Sequence, residues 1–147
     1  MLMRPALTLD DAKKIVDAGE NEARRMKLEV VIAVLDNGAR LIALHRMDGA
    51  RPGNPDIAIR KASTSALTCR PSSVWERWIE GPHKAYATFG LLASGGGVPI
   101  LVDGYCVGAI GVSGAKAEED ERIAAAAVRQ VLPNAKTARE GEEDVPC

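Results

Sequence analysis

His45 and His83 are the two imidazoles in the chain, so acid, base or metal chemistry that needs a histidine must use one of them. Both are catalytic candidates. His45 alternates with Leu41, Ala43 and Met47 toward the end of a strand-like run, and a packed histidine at a sheet rim is the preferred reading over proton transfer. His83 follows Gly81-Pro82 in a long loop, where a ligand to a bound group and a solvated side chain carry equal weight. Arg46, Asp48, Arg51, Lys61 and Arg70 cluster in sequence between these histidines. Two or three of those cations converging would make a seat for carboxylates, whereas each taken singly reads as surface charge, one pairing with Asp48 or Asp56. Ser94, Gly95, Gly96 and Gly97 could offer backbone N–H groups to an anion, or simply lead flexibly into the next strand.

Other motifs carry less chemistry. Gly111-Val112-Ser113-Gly114-Ala115 has the strand–turn–helix setting of a nucleophile elbow, but Ala115 stands in place of the last glycine and no triad is evident. No phosphate-loop lysine follows, and Glu118-Glu119-Asp120-Glu121 would repel phosphate. Cys69, Cys106 and Cys147 have neither metal-type nor redox-motif spacing, and the first two read as small buried apolar residues. Trp75 and Trp78 lie three apart on one helical face, to pack over a sheet, plug a subunit interface or, in the sharper reading, hold a planar ligand.

The elements that must position these groups follow from patterning. At 147 residues the chain fits one domain, with a core over about 7–132 and a polar, frayed tail over 133–147. Aromatic residues make up 3% and apolar residues 46%, so the core must be aliphatic. Nineteen basic residues against twenty acidic ones leave a net charge of −1, which argues against nucleic acid as a partner. With no signal-like or membrane-spanning stretch and an odd cysteine count, the cytoplasm is the expected location.

Thr8 and Asp11 form a capping box ahead of an amphipathic helix over 8–26. The β-branched run 30–35, Asn37-Gly38 and the run 40–47 predict a hairpin. Asn54-Pro55 opens a helix to about 69, N-capped by Asn54, whose face of Ala58, Ala62, Ser65, Ala66 and Cys69 can lie close to a sheet. A second capping box, Ser73 with Glu76, opens a short helix that ends at Gly81-Pro82. Residues 81–97 have no clear period and read as a functional or mobile loop. A second hairpin pairs 98–102 with 105–112 through Asp103-Gly104, and Gly108 and Gly111 signal close packing on it. An alanine-rich helix runs from about 117 to Pro133.

Taken in order, residues 31–38, Arg46-Met47-Asp48-Gly49-Ala50, residues 57–62, Gly96-Gly97-Val98-Pro99-Ile100 and residues 107–114 resemble the GlcG/HbpS-like, or haem-degrading domain, family. The resemblance covers about residues 7–131. It implies an α+β, profilin-like fold, an antiparallel sheet of two β-hairpins flanked by helices, and homo-oligomeric assembly. The family includes haem-binding redox-stress proteins, a domain fused to corrinoid adenosyltransferases and members encoded in catabolic operons. Haem-binding members are thought to use a histidine on the first helix or a hydroxyl just after the second. The first helix here has no histidine, and the hydroxyl position falls on Ser72, a poor lone iron ligand.

The expected function is therefore binding of haem or another planar anionic small molecule in a cleft between the 46–53 loop, Ser72 and the 83–97 loop. No resident metal and no membrane are expected. Two alternatives stand beside it. One is a cofactor-independent isomerase, lyase or hydrolase acting on a small carboxylated substrate, with arginines gripping the carboxylate and a histidine moving protons. The other is a structural or regulatory module.

Overall fold

Alternation along the two β-branched runs sends successive side chains to opposite faces of a sheet, and both faces are covered. The computed structural model describes residues 1–140. Four antiparallel strands, β1 (Val31–Asp36), β2 (Leu41–Arg46), β3 (Gly97–Val102) and β4 (Tyr105–Ser113), lie in the order β2-β1-β4-β3. The two hairpins thus join through β1 and β4, with Ile32 opposite both His45 and Val112. Among the described residues no helix is long and apolar enough to cross a membrane.

Helices α1 (Leu9–Arg25) and α4 (Ala117–Val131) cover one face, burying Ile15, Val16, Ile123 and Val128 against Ile32, Val34, Ile100, Ile110 and Val112. The α1 capping box forms as expected: Asp11 N–H donates to Thr8 Oγ1 at 3.0 Å, and Thr8 N–H donates to Asp11 Oδ2 at 2.9 Å. The Thr8 N–H, and after it the Thr8 hydroxyl, donate to the Asp11 carboxyl and hold it below its ordinary pKa.

Helix α2 (Asn54–Thr68) covers the other face, its Ala58, Ala62 and Ala66 packing on Val31, Ala33, Leu35 and Ala109. Small side chains on the helix and glycines on the strands bring the two backbones together. A Cβ at Gly111 would stand 2.0 Å from the Ala58 carbonyl oxygen, and one at Gly97 2.3 Å from that of Lys61. Helix α3 (Ser72–Glu80) packs against α2 and β3, and a 3₁₀ helix, Lys84–Phe89, packs on α3.

The first hairpin forms with Asn37 and Gly38 in its turn. Asp36 Oδ1 accepts from Gly38 N–H and Arg40 N–H at 2.8 and 2.9 Å, and Ala39 takes the left-handed conformation at φ 60°. The second hairpin turns through Asp103 and Gly104 as expected, with φ of 50° and 80°. Other local expectations are corrected. Asn54 is not the cap of α2; Gly53 holds that position, and Asn54 is buried in the first turn. The Ser73–Glu76 box does not form, because Ser73 donates to Glu121 at 3.1 Å and Glu76 accepts from Gly95 N–H at 3.0 Å. The segment 81–97 is not wholly a loop. Nor is the tail frayed from 133: Lys136 and Leu101 exchange backbone hydrogen bonds of 2.8 and 2.9 Å, and Ala138 is buried. Residues 141–147, including Cys147, lie outside the described residues.

Candidate functional site

Three residues per turn make side chains at i, i+3 and i+6 of a 3₁₀ helix eclipse one another. His83, Tyr86 and Phe89 follow that spacing and form a ladder. The His83 and Tyr86 rings stack at 4.7 Å between centroids and 9° between planes, and Tyr86 and Phe89 at 5.1 Å and 24°. Tyr86 also stacks on Trp75 of α3 at 5.0 Å, and meets Trp78 edge-on at 6.0 Å. Four of the chain's five aromatic residues and one of its two histidines thus share one surface.

Trp75 is buried at its root, and His83 and Phe89 are exposed, Phe89 by 61%. The Arg70 guanidinium lies 5.0 Å over the Trp78 ring. Trp75 Nε1 is buried with no hydrogen-bond partner among the described residues. The signal for this cluster was present in the three-residue spacing of His83, Tyr86 and Phe89, but an α-helical or strand period does not detect it.

The Ser94–Gly97 segment leads directly from this surface into β3, and two of its backbone N–H groups are already engaged. Gly97 N–H donates to Ser72 Oγ at 2.9 Å, and Gly95 N–H donates to Glu76. Ser72 in turn donates to the Ser94 carbonyl at 2.6 Å and is fully buried. Ser72 therefore ties α3 to the start of β3, which corrects its expected place facing a ligand. The Gly96 backbone, at φ 127°, lies against the Val112 carbonyl and Asp120, where any side chain would be crowded.

Lys61 is likewise corrected. It is 4% exposed, and its Nζ donates to Asp120 Oδ2 at 2.9 Å and to the Val112 carbonyl at 3.1 Å. Burial pushes the Asp120 carboxyl above its ordinary pKa, with Lys61 acting against that shift. The four cations do not converge. Arg46 lines a groove with His45 and Asp48, Arg51 lines a second beside Ser113 and Lys116, and Arg70 lies on Trp78. Since β2 and β3 are opposite edges of the sheet, Arg46 at the end of β2 and Ser72, bonded to the start of β3, lie apart.

His45 projects from β2 on the face that α1 covers. Its Nδ1 lies 2.8 Å from Glu20 Oε2 and 3.8 Å from Asp17 Oδ1. The hydrogen bond from His45 holds the Glu20 carboxyl below its ordinary pKa, so the carboxylate accepts and Nδ1–H donates. The rim reading is thus correct in place, but the imidazole is held by a charge rather than by packing. The open groove beside it measures about 430 Å³.

Cys69 and Cys106 are half-buried free thiols lining one groove of about 560 Å³, not fully buried apolar residues. Burial first, and the neighbouring Cys69 second, leave the Cys106 thiol pushed up to about 12 and unreactive at neutral pH.

The family described as "Haem degrading protein HbpS-like" matches residues 7–129. Protein GlcG of Escherichia coli K12 is 40% identical over 114 residues, spanning 77% of this chain and 85% of that protein. An uncharacterised 15.0 kDa protein of the Citrobacter freundii dhaT–dhaS intergenic region is 32% identical over 130 residues, spanning 83% and 89%. Among solved structures, a double mutant of HbpS from Streptomyces reticuli superposes with a TM-score of 0.82 at 30% identity, covering 89% of this chain and 90% of that one. PduOC in complex with heme superposes at 0.83 and 22% identity over 92% and 100%, a likeness of fold. With a 2-1-4-3 antiparallel sheet between helical layers and a family match running from Leu7 through most of α4, the chain belongs to the HbpS-like family.

Proposed function

We propose that the chain binds a planar, anionic small molecule, haem first among candidates, on the aromatic surface made by α3 and the 3₁₀ helix. The observation that carries this reading is the stacked set Trp75, Trp78, His83, Tyr86 and Phe89, left partly open beside Arg70. An aromatic cluster that keeps His83 and Phe89 exposed marks a surface that another molecule covers. Haem suits the residues present. His83 offers an imidazole to iron, Trp78, whose ring plane lies 75° from that of the imidazole, offers a flat face to the macrocycle, and Arg70, Arg77 and Lys84 supply cations in the same segment for the propionates. Bound haem would supply iron-centred redox chemistry. The chain's own residues would bind the edge carboxylates, set the plane of the ring and shield one face from water. The description of the family as haem degrading, and a neighbour of like fold in complex with heme, support the ligand class.

Both tryptophans of the chain lie in this cluster, so the tryptophan fluorescence originates there. Titration with haem is expected to quench that fluorescence to saturation, beyond the inner-filter loss seen with free tryptophan. Arg70→Ala should weaken the apparent affinity by roughly tenfold, the scale of one charge-assisted hydrogen bond. Absence of saturable quenching, or identical curves for the two proteins, would contradict the proposal.

A further inference from the structure

We propose a divalent transition-metal site formed by Asp17, Glu20 and His45 at the β2 edge, remote from the aromatic surface. Each residue offers one ligand atom, the imidazole nitrogen by releasing the proton it shares with Glu20, and the three atoms lie within 4.8 Å of one another. They come from two elements. Asp17 and Glu20 are three apart on α1, hence on one face, and His45 reaches them from β2, where pairing with Ile32 fixes the face on which it projects.

The group is more than a concentration of acids, because an imidazole supplies the nitrogen that selects borderline cations over calcium or magnesium. One carboxylate is already oriented: Glu20 Oε1 is held by Arg24, which turns Oε2 toward His45. A ligand steadied by such a partner loses less freedom on binding metal. His45 is 41% and Asp17 65% exposed in their side chains, so a cation can reach them without unfolding anything. Three protein ligands leave coordination positions open toward the groove lined by Arg46, Met47 and Asp48, the arrangement of a reactive rather than a purely structural site. Glu29 and Asp48 along that groove add negative charge that favours a cation, while Arg46 could steady an anionic group bound to it.

Cobalt(II) is the probe of choice, since its visible spectrum distinguishes nitrogen and oxygen ligands from thiolates. Titrating the purified, metal-stripped chain with cobalt chloride should give one equivalent of weak d–d absorption without a thiolate charge-transfer band. Zinc chloride should displace it. His45→Ala and Glu20→Gln should each lower the affinity by about tenfold or more, with circular dichroism confirming that the fold is kept. His83→Ala and Cys69→Ser should leave it unchanged. No saturable cobalt signal, a spectrum of thiolate ligation, or full binding in His45→Ala would each overturn the proposal.

Discussion

Replacing Lys61 by methionine is expected to destabilise the chain by about 3–5 kcal/mol, the cost of leaving a buried charge without its partner. Asp120 is 1% exposed and receives Lys61 Nζ at 2.9 Å and Ala115 N–H at 3.0 Å. With the ammonium also bonded to the Val112 carbonyl, three elements meet at one ion pair: α2, the end of β4 and the first turn of α4.

The sign of the pH dependence follows from the carboxyl. Burial already raises its pKa, and removing Lys61 removes an opposing influence, so the folded variant holds this proton at pH values where the unfolded chain has released it. Between the unfolded and folded pKa values the folded state then binds more protons, and stability falls as pH rises. The deficit of Lys61→Met against the parent protein should therefore be largest in neutral buffer and shrink on acidification. Urea unfolding at the two pH values measures it. The double variant Lys61→Met, Asp120→Leu should recover much of the loss, because an apolar pair carries no desolvation cost.

Gly111→Ala is the second large effect, expected at about 3 kcal/mol, toward the upper end of the range for overpacking. The added methyl would sit 2.0 Å from the Ala58 carbonyl oxygen and 2.7 Å from the Ala62 nitrogen. Both are helix backbone, which cannot rotate aside as a side chain would, so α2 as a whole must lift from the sheet. Gly53→Ala is the control: a Cβ there meets nothing within 4 Å, and Gly53 has an ordinary negative φ of −81°. Denaturant midpoints should separate the two variants with little change of slope.

Gly111 also shows why so much of the fold could be read in advance. Glycines on a strand-like run, facing a helix with alanines at 58, 62 and 66, are a local pattern with one economical solution, and the helix lies there. The hairpins were legible for the same reason, since β-branched runs and their turns are contiguous in sequence. Lys61 marks where that legibility ends. It reads as a surface cation because lysine seldom buries its charge, and nothing near it in sequence announces a partner 59 residues away.

Ser73 and Glu76 satisfied a capping pattern, yet each side chain was captured by a distant group that a local rule does not contain. For the candidate site, both histidines were visible as types, but their surroundings were not. His45 owes its setting to Glu20 across the α1–β2 contact, and His83 owes its own to a 3₁₀ period that is too short to register as a helix. Of the groups expected to share one cleft, Arg46 stands at the β2 edge and Ser72 is bound to β3, because β1 and β4 lie between those edges.

The most direct test is the Soret spectrum of haem titrated into the chain, its His83→Ala variant and a Trp78→Ala, Tyr86→Ala double variant. The proposed aromatic surface predicts a shifted, saturable band with one haem per chain in the parent. It also predicts an altered band when the imidazole is removed, and loss of binding when the two rings are removed. A spectrum identical to free haem, or a band that survives in the double variant and is lost instead in His45→Ala, would contradict it.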